Sequence, residues 1–227
     1  MISYQEIFDC AINRKGGEKN LEALIQRPNQ DRKLSMISDD RCLAEFTKKI
    51  FQSGFVWKIV EKKWDGFEEV FWGFDIDKLL MMPEEMLERK AQDKRIIRNF
   101  RKIKTVIENA IMIKDTCDNA SVSFAEFLVK WPKGDLVGLW LYLKENGSRL
   151  GGNTGPYALR ALGLDCFLLT RDVEGFLRTH NIVETGITTK KALYASQKFF
   201  NELADVSGRN FSDLSRLIAY AYGENRV

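Results

Sequence analysis

Apolar residues recur along this chain at steps of three and four, the spacing of one buried face of an α-helix. Four such series stand out, and Ser38 and Asp39 precede the first of them as N-cap candidates. The series are Leu43, Phe46, Ile50 and Phe51; Phe100, Ile103, Val106, Ile107, Ala110 and Ile111; Leu136, Leu139, Trp140 and Leu143; and Leu214, Leu217, Ile218 and Ala221. No stretch alternates apolar and polar residues with β-branched enrichment, so the pattern requires no sheet. The sequence predicts an all-α globule of about ten to thirteen short helices.

No internal repeat or low-complexity linker divides the 227 residues. At roughly 150 residues per domain, this length allows one large domain or two small ones. We expect a single all-α unit over residues 1–227. The polar stretch 116–123 is the best candidate for a boundary between two helical halves that enclose a cleft.

Composition places the chain among globular proteins. It is 44% hydrophobic and 30% charged with a mean hydropathy of −0.29, which excludes a disordered tail, a collagen-like repeat and an integral membrane protein. The longest stretch without a charge, residues 150–159, falls well short of the roughly 18 apolar residues of a membrane-spanning helix. Glu6 and Asp9 interrupt the opening segment before a secretory signal can form. We therefore expect a cytoplasmic protein.

Cysteine and histidine usage argues against a metal centre. Cys10, Cys42, Cys117 and Cys166 lie far apart without a Cys-x-x-Cys pair, and His180 is the single histidine. Zinc sites draw four ligands from these residue types at close spacing. We expect no metal, no cofactor, and four reduced, mostly buried thiols.

The charge balance allows a nucleic-acid partner without demanding one, since 35 basic residues face 32 acidic ones and the net charge is +3. The distribution is more telling, because eight basic residues and only one acid, Asp93, stand between residues 89 and 104. These are Arg89, Lys90, Lys94, Arg95, Arg98, Arg101, Lys102 and Lys104. One interpretation is the solvated face of an amphipathic helix. The other is an electrostatic approach surface for phosphates, whose binding would fall with salt.

A glycine-rich interruption separates two helical patterns between residues 147 and 156, which we call the glycine hairpin. Its glycines allow positive φ and close backbone approach, and free N–H groups at the start of the helix that resumes at Tyr157 can face an anion such as a DNA phosphate. A glycine C-cap and an ordinary helix–helix turn explain the same pattern without a ligand. The candidate contacts are Arg149, Gly151, Gly152, Asn153, Thr154 and Gly155.

An apolar run from Cys166 follows the hairpin and ends in Thr170 and Asp172, which open another helical pattern. Either side chain fits an N-cap, which stabilises a helix by about 1 kcal/mol. A carboxylate at such a helix start, a short distance after the hairpin, is also where helix-hairpin-helix DNA glycosylases place a catalytic aspartate.

Two motifs in the middle of the chain carry a more specific resemblance. Residues 52–57 (QSGFVW) and the following Phe74-Asp75 are similar to the Gln-Ala-Gly-Leu-Ser-Trp motif of the 3-methyladenine DNA glycosylase I family and its sequel. Residues 96–103 (IIRNFRKI) and Asn109-Ala110 resemble that family's Ile-Ile-Arg-(His/Asn)-x-x-Lys-Ile segment and its trailing Asn-Ala. The resemblance covers about residues 43–164. It implies a helix-hairpin-helix DNA glycosylase that rotates a damaged base out of duplex DNA and hydrolyses its glycosidic bond.

The resemblance also implies roles for individual residues. Trp57 is the first candidate for the aromatic surface that receives the base and Phe55 the second, although both fit core aromatics as well; Lys49 and Tyr157 complete the base-binding set. Asp172 is the expected catalytic carboxylate, which stabilises the sugar cation and orients water. Bifunctional relatives use a hairpin lysine, and Asn153 and Thr154 occupy this turn, so we expect base removal without strand cutting.

Three departures from the family predict a divergent branch. The chain has no Tyr-His-Asp-x-Glu-Trp-Gly segment before Leu43, and one histidine cannot form the family's usual zinc clip. The glutamate that the family places eight residues before the tryptophan is Lys49 here. At about 4 Å and an effective dielectric near 20, such a like charge costs a cationic base about 4 kcal/mol. If Lys49 lines the pocket, 3-methyladenine is a poor substrate; if it contacts a phosphate, that substrate stands.

The sequence leaves two other function classes open. A helix-hairpin-helix protein that binds DNA but has lost catalysis would also lack the glutamate and the opening segment. A helical protein that binds no nucleic acid would explain the near-neutral net charge. Under the favoured interpretation, the partner is duplex DNA with a damaged base, and we expect a monomer in the bacterial-type cytoplasm, associated with the nucleoid.

Overall fold

A computed structural model of the chain describes residues 2–25, 34–184 and 186–223. Over these ranges the backbone forms fourteen α-helices, two short 3-10 helices at Leu34–Met36 and Trp72–Phe74, and no strand, which confirms the all-α class. The helices are α1 Tyr4–Lys15, α2 Glu18–Ile25, α3 Asp39–Gln52, α4 Trp57–Lys62, α5 Trp64–Val70, α6 Ile76–Leu80, α7 Glu84–Lys90, α8 Phe100–Ala120, α9 Phe124–Lys130, α10 Leu136–Asn146, α11 Thr154–Ala161, α12 Arg171–Thr179, α13 Lys190–Ser207 and α14 Phe211–Tyr222. The number exceeds the expected range by one, because Lys63 alone separates α4 from α5.

The chain divides into two compact units. Unit 1 draws on residues 1–31, 132–138 and 165–227, and unit 2 on residues 32–131 and 139–164. The boundary candidate 116–123 lies inside unit 2. There α8 continues to Ala120, Ser121 takes a left-handed conformation at φ 54°, and the Ser123 hydroxyl accepts from the Glu126 amide to cap α9.

Unit 1 is built around α14, which packs against α1 and α12. Its core contains stacked rings of Phe167 and Phe200, whose centroids lie 4.2 Å apart. The Asp165 carboxylate accepts hydrogen bonds from the amides of Phe211 and Ser212 at 2.9 and 2.8 Å, so it satisfies two of the free N–H groups at the start of α14.

Unit 2 is built around α3, whose apolar face packs on α8 and α11. Next to it, Phe51, Phe67, Phe71 and Phe74 are fully buried in one aromatic core. At the other end of α3, Asp39 accepts from the Phe124 amide at 2.9 Å, which ties α3 to α9. The N-cap position itself belongs to Ser38.

The basic segment is not one helix. It covers the end of α7, a turn and the first residues of α8, and three of its eight cations contact residues that are distant in the chain. Lys90 donates to the Val70 carbonyl, Arg95 pairs with Asp93 and Glu69, and Lys102 is buried. The other five, Arg89, Lys94, Arg98, Arg101 and Lys104, are exposed.

Candidate nucleic-acid interface

The loop between α3 and α4, residues 53–56, is held from its buried side by Lys102 of α8. The Lys102 ammonium donates to the Ile50 carbonyl and lies 3.4 Å from the Ser53 hydroxyl, and the side chain is only 8% exposed. Gly54 is the residue that permits this contact, because a Cβ there would stand 3.0 Å from the ammonium nitrogen. Burial, with a contribution from the charge of Arg149, lowers the pKa of Lys102.

Trp57 begins α4 directly after this loop and is 52% exposed, so it is not a core aromatic. The Tyr157 ring from α11 meets the indole edge-on, with centroids 6.2 Å apart and an interplanar angle of 90°. Phe55 is different, because its ring stacks at 6.2 Å on the buried Phe51 and the Lys102 ammonium lies 5.3 Å from its centroid. Phe55 therefore belongs to the edge of the core, and Trp57 offers the open aromatic surface.

Lys49 completes this group, and we call Lys49, Trp57 and Tyr157 the indole cluster. The ammonium of Lys49 stands over the Trp57 ring, 5.5 Å from its centroid. It pairs with the Glu45 carboxylate at 3.2 Å and donates to the Gln52 side-chain oxygen at 3.0 Å. Lys49 thus lies against the indole. That this position lines a base pocket stays a prediction.

The glycine hairpin is anchored by Asn109, which is completely buried. Its side-chain oxygen accepts from the Ser148 amide at 2.8 Å, and its amide nitrogen donates to the Ser148 carbonyl at 3.1 Å. Asn109 and Lys102 lie two turns apart on the same buried face of α8. One helix therefore fixes both the α3–α4 loop and the hairpin.

The hairpin backbone takes conformations and close contacts that favour glycine. Gly152 has φ +60° and an open surface around it, and a Cβ at Gly155 would stand 2.6 Å from the Leu150 carbonyl oxygen. Arg149 is also left-handed, at φ 58°. Helix α11 begins at Thr154, three residues before the predicted Tyr157, because Pro156 is tolerated in a first helical turn. In the described part of the chain, the amides of Gly151 and Gly152 donate to no protein acceptor.

Asp172 lies in unit 1, as the second residue of α12. The N-cap of that helix is Thr170, whose hydroxyl accepts from the Val173 amide at 3.4 Å, so Asp172 is not the capping residue. Its carboxylate packs against the end of α14, where a Cβ at Gly223 would stand 2.4 Å from the Asp172 Cγ. A carboxylate in the first turn also interacts favourably with the helix dipole. Its catalytic role remains a prediction.

The described ranges contain neither a metal-ligand group nor a membrane-spanning helix. Across ranges 2–25, 34–184 and 186–223, no three His, Cys, Asp or Glu side chains are grouped as metal ligands. No helix in the same ranges is long and apolar enough to cross a bilayer. None of the four cysteines forms a disulfide: Cys42 and Cys166 are buried, Cys117 is partly buried and Cys10 is exposed. Burial and the neighbouring Asp39 raise the pKa of Cys117 to about 12, so this thiol stays protonated.

Sequence reasoning did not assign positioning roles to Lys102 and Asn109. Both were part of the motif resemblance, and Lys102 was counted among the basic residues of a possible phosphate surface. The sequence signal that could have found them is their spacing, since both fall on the same helical stripe as the buried Val106 and Ile113. A polar side chain on an apolar stripe needs a buried partner.

Comparison with known proteins agrees with this architecture. Residues 32–138 match the family model described as methyladenine glycosylase. A 3-methyladenine DNA glycosylase I from Staphylococcus aureus superposes with a TM-score of 0.51 at 19% identity, covering 67% of this chain and 91% of that one. No curated protein sequence matches significantly.

Two 8-oxoguanine DNA glycosylases cover nearly the whole chain. The enzyme of Methanocaldococcus jannaschii has a TM-score of 0.59 at 15% identity, over 96% of this chain and 94% of its own. That of Thermotoga maritima has a TM-score of 0.58 at 13% identity, over 98% of each chain. At these identities the likeness establishes a shared fold.

Proposed function

We propose that this chain is a helix-hairpin-helix DNA glycosylase that excises a modified base from duplex DNA. The proposal is supported by the methyladenine glycosylase match of residues 32–138 and by the fold shared with the 8-oxoguanine DNA glycosylases. The observation that carries the proposal is the arrangement on α8. Lys102 holds the loop that presents Trp57, and Asn109 holds the glycine hairpin. A surface for a base and a surface for a phosphate are thereby fixed to one rigid element.

Each surface matches a step of base excision. Rotation of a nucleotide out of the duplex costs a few kcal/mol, and aromatic stacking returns about 1–3 kcal/mol per base. The half-exposed indole of Trp57 provides that stacking surface, with Tyr157 against its edge. The unpaired amides of Gly151 and Gly152 are suited to a phosphate oxygen beside the extruded nucleotide.

Asp172 supplies the chemistry in this proposal. Its carboxylate stabilises the cationic sugar formed as the glycosidic bond breaks, and it orients the attacking water. No lysine stands in the hairpin between Gly147 and Pro156, so no Schiff base forms there and the DNA strand stays uncut. The enzyme acts as a monomer without a metal, on chromosomal DNA in the cytoplasm.

Release of free base from damaged duplex DNA by wild type and by Asp172→Asn tests the proposal. We expect the amide to lower the single-turnover rate at least about a hundredfold, because it removes the negative charge beside the sugar. Thr170→Ala is the matched control in the same helix turn. It removes the cap at a cost of about 1 kcal/mol of stability and leaves the rate within about threefold. Equal rates for wild type and Asp172→Asn would remove the assigned role.

A DNA-binding protein without catalysis is the second candidate, favoured by Lys49 at the position of the family's glutamate. It predicts duplex affinity that falls steeply with salt and no base release from any substrate. Duplex binding together with intact DNA in the release assay would select it. Failure to bind any duplex at low salt would reject both candidates.

A further inference from the structure

The substrate class follows from how Lys49 is held. Two acceptors fix its ammonium, the Glu45 carboxylate at 3.2 Å and the Gln52 amide oxygen at 3.0 Å. The side chain is largely buried, at 14% exposure. Lys49 therefore has a defined position over the indole and does not sample solvent as a free surface lysine does.

Gln52 is itself fixed by a longer chain of contacts. Its side-chain nitrogen donates to Glu61 at 2.9 Å, and Glu61 pairs with Lys48 at 2.7 Å. The Gln52 side chain is buried, so its oxygen cannot turn away from Lys49 without losing these bonds. The network places a positive charge at the indole in the free protein, before any DNA is bound.

An ammonium in this position selects against positive bases. The π face of an indole attracts a cation through its negative quadrupole, and Lys49 already occupies one face at 5.5 Å. A base stacked on Trp57 lies either on the face that Lys49 covers, beside the ammonium, or on the opposite face of the ring. In both positions a cationic base meets the like charge of the ammonium, which the Glu45 carboxylate at 3.2 Å offsets in part, and a neutral base does not.

The same ammonium favours bases with a carbonyl oxygen. A lysine ammonium has three donor hydrogens and no acceptor, and Glu45 and Gln52 take two of them. The third can donate to an oxygen on the edge of a stacked base. An exocyclic amine at that edge would face a donor with another donor.

We propose that the base received on Trp57 is a neutral modified base with a carbonyl oxygen toward Lys49, rather than a cationic N-alkylated purine. This inference rests on the proposed glycosylase function. It assigns Lys49 as the residue that determines the charge of the accepted base, with Glu45 and Gln52 as positioning residues.

The test compares single-turnover release from two matched pairs of duplexes. One pair carries 8-oxoguanine or 7-methylguanine, which share the guanine carbonyl and differ in charge. The other carries hypoxanthine or 3-methyladenine.

We expect wild type to release the neutral member of at least one pair at least tenfold faster than its cationic partner. Lys49→Glu should reverse that preference by at least tenfold, and Lys49→Met should abolish it without reversal. Lys133→Glu, an exposed site in unit 1, makes the same change in net charge and should leave the ratio unaltered.

Three outcomes would count against the inference, and they separate it from the proposed function. Faster release of the cationic bases by wild type would overturn the inference and leave the glycosylase function intact. A selective loss of cationic-base release in Glu45→Gln would show that Glu45, not Lys49, sets the charge preference. Release of none of the four bases would defeat the proposed function, and the inference with it.

Discussion

Single buried polar side chains hold the α3–α4 loop and the glycine hairpin in place. Asn109 bonds both backbone groups of Ser148 across 39 residues of chain, and Lys102 reaches the Ile50 carbonyl across 52. Both residues belong to the segment that resembles the family's motif, but the sequence could not reveal their hydrogen-bond partners. Hydrophobic spacing reports which face of a helix is buried, and it carries no information on what a distant loop presents to that face.

Asn109→Leu tests the anchor of the hairpin. The substitution keeps the branched shape of the side chain but leaves the Ser148 N–H and carbonyl without their side-chain partner, which costs about 1–3 kcal/mol. Urea unfolding should show that loss, and limited proteolysis should cut the chain near residues 147–153 faster. Asn146→Leu is the control, because Asn146 is exposed and its side chain, among the described residues, bonds only to the Tyr142 carbonyl. Equal destabilisation by both substitutions would contradict the assigned anchor.

The hydrophobic pattern predicted the longer helices well, and it predicted the short helices and the turns poorly. The four apolar series fall in α3, α8, α10 and α14. Short helices without an apolar series of their own, such as α4 and α6, escape this kind of reasoning because five or six residues show less than two turns of periodicity. The start of α11 was also missed, since proline breaks a helix interior but is accepted in the first turn.

Two glycines with similar backbone conformations, one of them in the glycine hairpin, provide a test of the hairpin. Gly152 and Gly208 have φ of +60° and +69°, and a Cβ at either would meet nothing within 4 Å. Alanine should therefore cost each about 1–2 kcal/mol of stability through backbone strain alone. Only Gly152→Ala should also weaken duplex binding, because its methyl group occupies the surface offered to a phosphate. Fluorescence anisotropy with a labelled duplex measures this, and equal affinities for the two variants would remove the hairpin from the DNA interface.

At the scale of the whole molecule, the sequence predicted the fold class, and the motif resemblance pointed to the family whose model matches residues 32–138. The candidate site was only partly predictable. Trp57, Tyr157 and Lys49 come together because α3 packs against α11, which spacing alone could not show. Asp172 belongs to unit 1, so its part in catalysis rests on the resemblance and on the variant proposed above.

The most direct test of the account is the rate at which Trp57→Ala releases a modified base from duplex DNA in a single turnover. Loss of one stacking surface worth about 1–3 kcal/mol should slow release by roughly five- to a hundredfold. Affinity for an undamaged duplex should change less than threefold, since the glycine hairpin proposed to contact phosphates is untouched. If Trp57→Ala released the base at the wild-type rate, this result would contradict the claim that the exposed indole receives the extruded base.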